Sequence, residues 1–346
     1  MHGIILEKID LNSDKRLEVE RFLSTFNLFF DKDIEYTVIA KKDREILGTC
    51  SHAGKVLKCF AVREGLQGEG IASKLITHIT NYLFEKGIYE YFVFTEPKNL
   101  NIFKGLNFKE VYTVDKVSLL EGGMVNINKY IEKMYKNSGL KDNEKAALVM
   151  NCNPFTLGHR YLIERAAKEN EEVVVFIVEE DRSLFPFKVR LDLVKKGTKD
   201  LPNVHVIPGG DYIISSNTFP SYFLREEGTR LKAYTQLDAG IFGKYISPIF
   251  NIKRRYIGTE PYCNVTSEYN RALSYILPKY DIELVKINRV IKDNKAISAS
   301  NVRNLIKTED WDKIKAIVPK TTYDFLKSPE AENIIEKIKR SDTPHW

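Results

Sequence analysis

The sequence predicts an α/β protein with two domains, the second of which is built on a doubly wound parallel sheet. A length of 346 residues is more than a single core usually holds. From residue 146 onward, short apolar runs alternate with stretches of helical periodicity, which is typical of a parallel sheet covered by helices. A polar stretch at 137–145 precedes that alternation and is typical of a linker. We therefore place a first α/β domain at residues 1–125, a linker at 126–145 and the second domain at 146–346.

The first domain is predicted to contain short strands with two longer helices among them. Branched and aromatic residues mark the strands, and amphipathic spacing marks the helices at 15–26 and 73–85. The predicted strands lie at 4–6, 36–40, 46–50, 57–62 and 91–95, followed by a further element at 101–108 and a short helix at 126–136.

The second domain is predicted to alternate strand and helix throughout. The run at 172–178 is almost continuously apolar, so we expect a strand that is buried on both faces. His205 alternates with apolar neighbours and is expected to be a packed or edge histidine rather than a ligand. The predicted strands lie at 147–151, 172–178, 204–209, 254–261 and 282–287, and the predicted helices at 158–169, 187–196, 229–246, 266–277 and 300–308.

Composition excludes several classes of protein. The net charge of +6 is spread along the chain without a compact basic and aromatic stripe, so we expect no nucleic-acid partner. No apolar run approaches membrane-spanning length, and the N-terminal residues lack the apolar core of a signal peptide. The four cysteines form no Cys-x-x-Cys pair, so we expect reduced thiols. Together these features predict a cytoplasmic protein with no membrane partner.

The turn after the strand at 147–151 is the main candidate site. Pro154 cannot continue a central strand, and helical spacing begins a few residues later. Backbone N–H groups at a helix N-terminus favour anions, and Gly158 lets a phosphate approach the backbone closely. His159 can donate a hydrogen bond, or a positive charge, to a phosphoryl oxygen. The predicted nucleotide-binding residues of this turn are Asn153, Pro154, Phe155 and Gly158, with Thr156 and His159 as catalytic residues.

Two further turns are predicted to meet the first one. Ser298 and Ser300 precede a helix, so they can cap it and bind phosphate oxygens, and Arg303 can form a fork to a phosphate. Gly258 and Glu260 end the strand at 254–261 and complete the predicted nucleotide-binding set. In a doubly wound sheet, ligands bind where the carboxyl ends of strands meet helix N-termini. We therefore expect the turns at Thr156, Gly258 and Ser298 to face one site, with Arg303 as a catalytic residue.

A phosphate site without a Walker lysine indicates attack at the α-phosphorus, with pyrophosphate as the leaving group. Such chemistry needs hydrogen-bond donors for the developing charge and Mg2+ for the leaving group. No general base is required where the acceptor is already an anion. We predict no metal-binding side chains.

The first domain contains a second glycine-rich turn that opens a helix, at residues 67–72. Successive N–H groups in such a turn can cradle a pyrophosphate. The candidate residues are Gln67, Gly68, Gly70 and Ala72.

These segments resemble two known families. Thr-Leu-Gly-His at 156–159 and Ile-Ser-Ala-Ser-Asn-Val-Arg at 297–303 resemble the two motifs of the nucleotidyltransferase superfamily. Gln-Gly-Glu-Gly-Ile-Ala at 67–72 resembles the acetyl-CoA-binding motif of GNAT acyltransferases, and the resemblance covers roughly residues 1–120. The GNAT resemblance implies a first domain that binds an acyl-CoA or a related prosthetic group. The nucleotidyltransferase resemblance implies a Rossmann-like second domain that binds a nucleotide.

The two domains in this order, together with the stretches 150–162 and 256–270, resemble the citrate lyase ligase family over essentially the whole chain. The resemblance implies an acid–thiol ligase that uses ATP to activate acetate as acetyl-AMP and releases pyrophosphate. The acetyl group then passes to the prosthetic-group thiol of the citrate lyase acyl-carrier subunit. Thr156 stands where many superfamily members have histidine, and a hydroxyl cannot carry a positive charge. His159 is therefore expected to provide more of the stabilisation of the phosphoryl charge.

Two other functions remain open at this point. One is another adenylyl- or cytidylyltransferase of the same superfamily, which would use a phosphorylated acceptor and would not need the first domain. The other is a non-catalytic acyl-CoA-binding regulator whose catalytic motifs are relics. The residues also leave open whether the first domain is catalytic or only binds, because none of them is an evident acetyltransfer base.

Overall fold

The structure is a computed structural model that describes residues 3–66, 68–179, 183–213, 226–259, 264–292 and 295–341. Its contacts divide the chain into two compact units. The first comprises Met1–Tyr130 with Phe219–Leu237, and the second comprises Ile131–Thr218 with Asp238–Trp346.

The first unit is built around a seven-stranded sheet. The strands are β1 (Ile5–Lys8), β2 (Tyr36–Lys42), β3 (Glu45–Ala53), β4 (Val56–Val62), β5 (Glu90–Thr95), β6 (Lys109–Thr113) and β7 (Ser118–Gly123). The helices of this stretch are α1 (Lys15–Ser24), α2 (Ile71–Glu85) and α3 (Leu100–Gly105), and α4 (Ile127–Ser138) follows it. The strand order is β1-β2-β3-β4-β5-β7-β6. Neighbours are antiparallel except β4 and β5, which run parallel.

The helix α2 packs its apolar stripe into the core of this sheet. Leu75, Ile79 and Leu83 recur at helical spacing and are fully buried against strand residues such as Val38 and Leu120. The parallel pair β4–β5 is short, because only Val56–Phe92 and Leu57–Val93 are paired. The two strands therefore separate after these positions, and the sheet opens at its centre.

The second unit contains a five-stranded parallel sheet. Its strands are β8 (Lys145–Met150), β9 (Val173–Ile177), β10 (Val204–Pro208), β11 (Ile252–Gly258) and β12 (Glu283–Ile287), with a small hairpin of β13 (Ile291–Lys292) and β14 (Lys295–Ala296). After its first strand come α5 (Leu157–Glu169) and α6 (Phe187–Gly197). The next helix, α7 (Glu227–Ile241), begins in the first unit and ends in the second. The remaining helices of the second unit are α8 (Ser247–Phe250), α9 (Asn264–Ile276), α10 (Ala299–Lys307), α11 (Trp311–Ile317), α12 (Lys320–Leu326) and α13 (Glu332–Arg340). The strand order β10-β9-β8-β11-β12 reverses direction between β8 and β11, as in a doubly wound fold.

The burial of this sheet agrees with the sequence pattern. Every residue of β9 is buried, so the prediction of a strand covered on both faces is confirmed. His205 lies on the edge strand β10, partly exposed, with its Nε2 atom 3.8 Å from Glu172 Oε1, and is an edge histidine as predicted. The helices α11–α13 were not predicted. They pack with α10 around a second core that includes Phe185, Ile314 and Ile338.

Three cysteines lie in the described residues, and all three are free and buried: Cys50, Cys59 and Cys152. Over the part of the chain that the structure describes, no helix is both long enough and apolar enough to cross a lipid bilayer.

Candidate active site

A cavity of about 860 Å³ lies at the carboxyl ends of the strands β8, β11 and β12. The sequence predicted that three turns would meet at this edge, and all three line the cavity. The predicted site residues along its wall are Asn153, Thr156, Gly158, His159, Gly258, Ser298, Ser300 and Arg303.

Thr156 and His159 cap the N-terminus of α5 reciprocally. The Thr156 hydroxyl accepts a hydrogen bond from the His159 backbone N–H, and the Thr156 backbone N–H donates to His159 Nδ1 at 3.1 Å. This is a capping box in which histidine takes the place usually held by Glu or Gln. The cap fixes the imidazole against the first turn of the helix.

The same bonds determine the tautomer of His159. Because Nδ1 accepts from the Thr156 N–H, the proton of the neutral ring lies on Nε2. Burial, together with the positive charge of Arg289, lowers the pKa of His159 from 6.5 to about 4. The sequence allowed either a hydrogen bond or a positive charge from this residue. The structure makes it a neutral donor at neutral pH.

The second predicted turn is built in the same way. Ser298 is the N-cap of α10, and its hydroxyl accepts from the Asn301 backbone N–H at 3.1 Å. One turn later, the guanidinium of Arg303 is almost fully buried, and burial lowers its pKa. Its Nη1 donates to the Asn153 carbonyl oxygen at 2.6 Å and its Nη2 donates to Ser300 Oγ at 3.2 Å. Arg303 therefore ties the second turn to the first.

Gly158 and Gly258 let neighbouring segments pack closely against the main chain of these turns. A Cβ on Gly158 would lie 3.0 Å from the carbonyl oxygen of Ile297, which is tighter than ordinary packing. A Cβ on Gly258 would lie 3.3 Å from the Leu162 side chain, and the Gly258 carbonyl accepts from Asn270 Nδ2 at 3.0 Å. The first and second turns are thus in direct contact, and a side chain at position 158 would require the Ile297 main chain to shift.

Two predicted nucleotide-binding residues, Pro154 and Phe155, do not line the cavity. Phe155 is fully buried, because its ring packs in the core against Gly197, where an added Cβ would meet the ring at 2.5 Å. The ring also stacks on the imidazole of His159, with centroids 6.2 Å apart and planes 15° apart. Phe155 therefore contacts the imidazole of His159 from the core and helps to hold it in place.

Arg289 is a site residue that no motif predicted. It lies two residues after the end of β12, lines the cavity and is half-buried. Its Nε donates to the Thr259 carbonyl oxygen at 2.9 Å. Its positive charge adds to the effect of burial in lowering the pKa of His159. The available signal was its position after the carboxyl end of a predicted parallel strand.

The glycine turn of the first unit has two residues in the left-handed region of backbone conformation. Gly68 and Gly70 have φ values of +88° and +72°, and a Cβ on either would meet nothing within 4 Å. Gly70 is the N-cap of α2, and Ala72 lies in its first turn. Gln67, like Glu260 of the second unit, lies outside the described residues.

Comparison with known proteins gives a family match for each of the two parts of the chain. The family model of the citrate lyase ligase C-terminal domain matches residues 145–326, and the acetyltransferase (GNAT) family model matches residues 7–106. A "[Citrate [pro-3S]-lyase] ligase" of Klebsiella pneumoniae is 36% identical over 332 residues, covering 93% of this chain and 96% of that protein. The protein of the same name from Escherichia coli (strain K12) is 35% identical and covers 98% of both chains.

A more distant similarity covers a smaller part of the chain. A phosphopantetheine adenylyltransferase of Symbiobacterium thermophilum is 35% identical over 89 residues, covering 25% of this chain and 51% of that protein.

A parallel sheet with two capped helix N-termini and a histidine at its carboxyl edge defines the second unit as a nucleotidyltransferase-like domain, and the first unit is GNAT-like. The chain as a whole belongs to the citrate lyase ligase family and is a ligase.

Proposed function

We propose that the cavity binds ATP and that the chain activates acetate there as acetyl-AMP. The acetyl group then passes to the prosthetic-group thiol on the acyl-carrier subunit of citrate lyase. The observation that carries this proposal is the meeting of two helix N-termini, α5 and α10, around one cavity that His159, Arg289 and Arg303 also line. Every one of these groups favours an anion, so their combined field suits a triphosphate.

In the first step, a carboxylate oxygen of acetate attacks the α-phosphorus. The bond from that phosphorus to the bridging oxygen breaks, and pyrophosphate leaves with the electron pair. His159 Nε2–H and the N–H groups at the start of α5 donate to phosphoryl oxygens as charge develops. Acetate is already an anion, so no side chain needs to remove a proton.

In the second step, the prosthetic-group sulfur attacks the carbonyl carbon of acetyl-AMP as a thiolate. The bond from that carbon to the phosphate oxygen breaks, and AMP leaves. The thiol proton passes to solvent, and the products are the thioester, AMP and the pyrophosphate released earlier.

Mg2+ fits the cavity as a companion of the triphosphate. The cavity wall, as far as it is described, carries amides and hydroxyls but no carboxylate, and no group of metal-ligating side chains occurs among the described residues. Mg2+ commonly keeps several waters and binds through substrate phosphates, with a few protein oxygens. Asn270 and Asn288 line the cavity and offer such amide oxygens. When bound, the ion would neutralise charge on the leaving pyrophosphate.

For the first unit, we propose that it binds the CoA-like prosthetic group as a module without acetyltransferase activity of its own. The turn at Gly68 and Gly70 supports this role, because left-handed glycines before a helix present N–H groups to a pyrophosphate. The separation of β4 and β5 after Leu57 and Val93 also supports it, because strands that part leave room for an extended ligand arm.

The decisive experiment is incubation with ATP, Mg2+ and acetate, propionate or butyrate, with and without deacetylated citrate lyase, while AMP and pyrophosphate are followed. We expect acetate-dependent pyrophosphate release and lyase-dependent thioester formation. Pyrophosphate release with phosphopantetheine in place of acetate would indicate an adenylyltransferase instead. The absence of ATP turnover with every carboxylate would indicate a non-catalytic acyl-CoA-binding protein.

A further inference from the structure

The turn between β8 and α5 holds a residue in an unfavourable backbone conformation. Cys152 has φ = +53°, in the left-handed region that residues with a side chain other than Asn or Asp seldom adopt. Its side chain is buried in the core with Met150 and Phe155. Strain of this kind persists only where the surroundings impose it.

Two buried arginines bind the main chain on either side of Cys152. On one side, Arg190 Nη1 donates to the Asn151 carbonyl oxygen at 2.8 Å and to Asn151 Oδ1 at 2.7 Å. On the other side, Arg303 Nη1 donates to the Asn153 carbonyl oxygen at 2.6 Å. The exposed fractions of Arg190 and Arg303 are only 0% and 6%, so both bonds are shielded from water.

Arg190 is itself fixed by two further segments. Its Nε donates to the Phe185 carbonyl oxygen at 2.9 Å, and its Nη1 also lies 2.9 Å from the carbonyl oxygen of Val178, just after β9. The Phe185 backbone N–H donates in turn to Asn153 Oδ1 at 3.0 Å. The guanidinium therefore binds the ends of two strands and the segment before α6. A lysine ammonium lacks the planar fork that makes these contacts together.

We propose that Arg190 is a positioning residue that, together with Arg303, holds Cys152 in the left-handed conformation and so sets the Asn151–Asn153 turn against the cavity. Asn151, Cys152 and Asn153 all line the cavity, and the Thr156–His159 cap begins three residues later. Arg190 does not line the cavity, so it acts on a ligand only through this turn. The kinetic part of this inference rests on the proposed function, but the conformational part does not.

The conformational part is tested by thermal unfolding of Cys152→Gly and Cys152→Ala. Both variants remove the thiol, but only glycine adopts a positive φ without strain. At an ordinary φ, glycine is less stable than alanine, so a higher Tm for Cys152→Gly is the expected and diagnostic sign. A higher Tm for Cys152→Ala would overturn the inference. No substrate is needed, so this result is independent of what the cavity binds.

The role of Arg190 is tested by Arg190→Lys, alone and combined with each Cys152 variant. We expect Arg190→Lys to lower kcat/KM for ATP in pyrophosphate release on the order of 100-fold, because the turn is misplaced. Cys152→Gly in that background should recover about tenfold, since glycine adopts the turn without being forced. Cys152→Ala should recover nothing. Equal activity of the two double variants, including failure of both to fold, would overturn the proposal.

Discussion

The Nη1 atom of Arg303 lies 2.6 Å from the carbonyl oxygen of Asn153, a residue 150 positions earlier in the chain. This bond joins the second sequence motif directly to the turn that precedes the first motif. The sequence suggested that the Arg303 fork would bind a phosphate, yet Nη1 holds the Asn153 main chain and Nη2 holds Ser300. Arg303 is thus a structural link between the two turns in addition to any contact with a nucleotide.

We expect Arg303→Lys to raise the KM for ATP about 10- to 100-fold. Lysine keeps the charge but cannot bond to Asn153 and Ser300 at once, and a hydrogen bond to a charged group contributes about 1.5–3 kcal/mol. Acetate-dependent pyrophosphate release measures the effect. Arg165→Lys, at an exposed ion pair with Glu169 on α5, is the matched control and should behave like the unchanged protein. Equal ATP affinity in both variants would show that the link is dispensable.

We expect His159→Ala to reduce acetyl-AMP formation by about 100-fold or more while the protein stays folded. The imidazole is a donor held at the cavity wall, and loss of one such donor commonly costs this much in rate. Acetyl-AMP is measured by acetate-dependent AMP formation in the presence of hydroxylamine. His205→Ala removes a histidine on an edge strand away from the cavity and should leave the rate unchanged. A folded His159→Ala variant with the original rate would refute the assignment.

The neutral state of His159 can be measured directly by NMR. We expect its imidazole to titrate with a midpoint of about 4 and to carry its proton on Nε2. Arg289→Gln should raise this pKa, because it removes a positive charge that disfavours protonation. Lys286→Gln removes a charge from an exposed position of β12 that does not line the cavity, and should have little effect. An unshifted midpoint in Arg289→Gln would show that burial alone lowers the pKa.

The same pKa implies a pH dependence of stability. The unfolded chain binds a proton at this histidine near pH 6.5, whereas the folded protein does so only near pH 4. Between these values the unfolded state holds more protons, so the contribution of His159 to the free energy of unfolding falls as the pH drops from about 6.5 to about 4. Chemical denaturation of the protein and of His159→Ala across this range measures the free energy of unfolding at each pH. The fall in this free energy between pH 6.5 and pH 4 should be smaller in the variant.

The glycine turn of the first unit is tested by comparing Gly70→Asp with Gly70→Asn. Gly70 has φ = +72°, so any side chain there introduces strain, and a lone Gly70→Asp variant would mix strain with charge. Asp and Asn have the same shape and both tolerate a left-handed backbone, so they differ mainly in charge. We expect acetyl-AMP formation to survive in both, and acetyl transfer to the lyase to fall further in Gly70→Asp. Equal transfer rates would indicate that no phosphate lies at this turn.

The parts of the site that were predictable from the sequence are those encoded locally. The strand, the turn and the helix from 147 to 169 follow from an apolar run, a proline and helical spacing, and the structure has β8 and α5 there. The caps at Thr156 and Ser298 are also local, because each hydroxyl accepts from a backbone N–H three residues later. The meeting of the three turns followed from the parallel order of the strands.

The remaining features depend on distant contacts that no local pattern records. The charge state of His159 depends on burial and on Arg289, which stands 130 positions later. The burial of Phe155 depends on Gly197 at the end of α6. The position of the Asn151 main chain depends on its hydrogen bond from Arg190, which from the sequence is only a basic residue in an amphipathic helix. Each of these required knowledge of which segments pack together.

The approach of Ile297 to Gly158 has a consequence for the order of folding. The carbonyl oxygen of Ile297 would be 3.0 Å from a Cβ at position 158, so nearly 140 residues of chain must be in place before this contact forms. Contacts between residues so far apart in sequence carry a large loop-closure entropy and tend to form late. The wall of the cavity is therefore complete only when the turn before α10 has reached the turn before α5. A ligand that bridges the two turns would bind only the fully folded unit and would slow its unfolding from the C-terminal side.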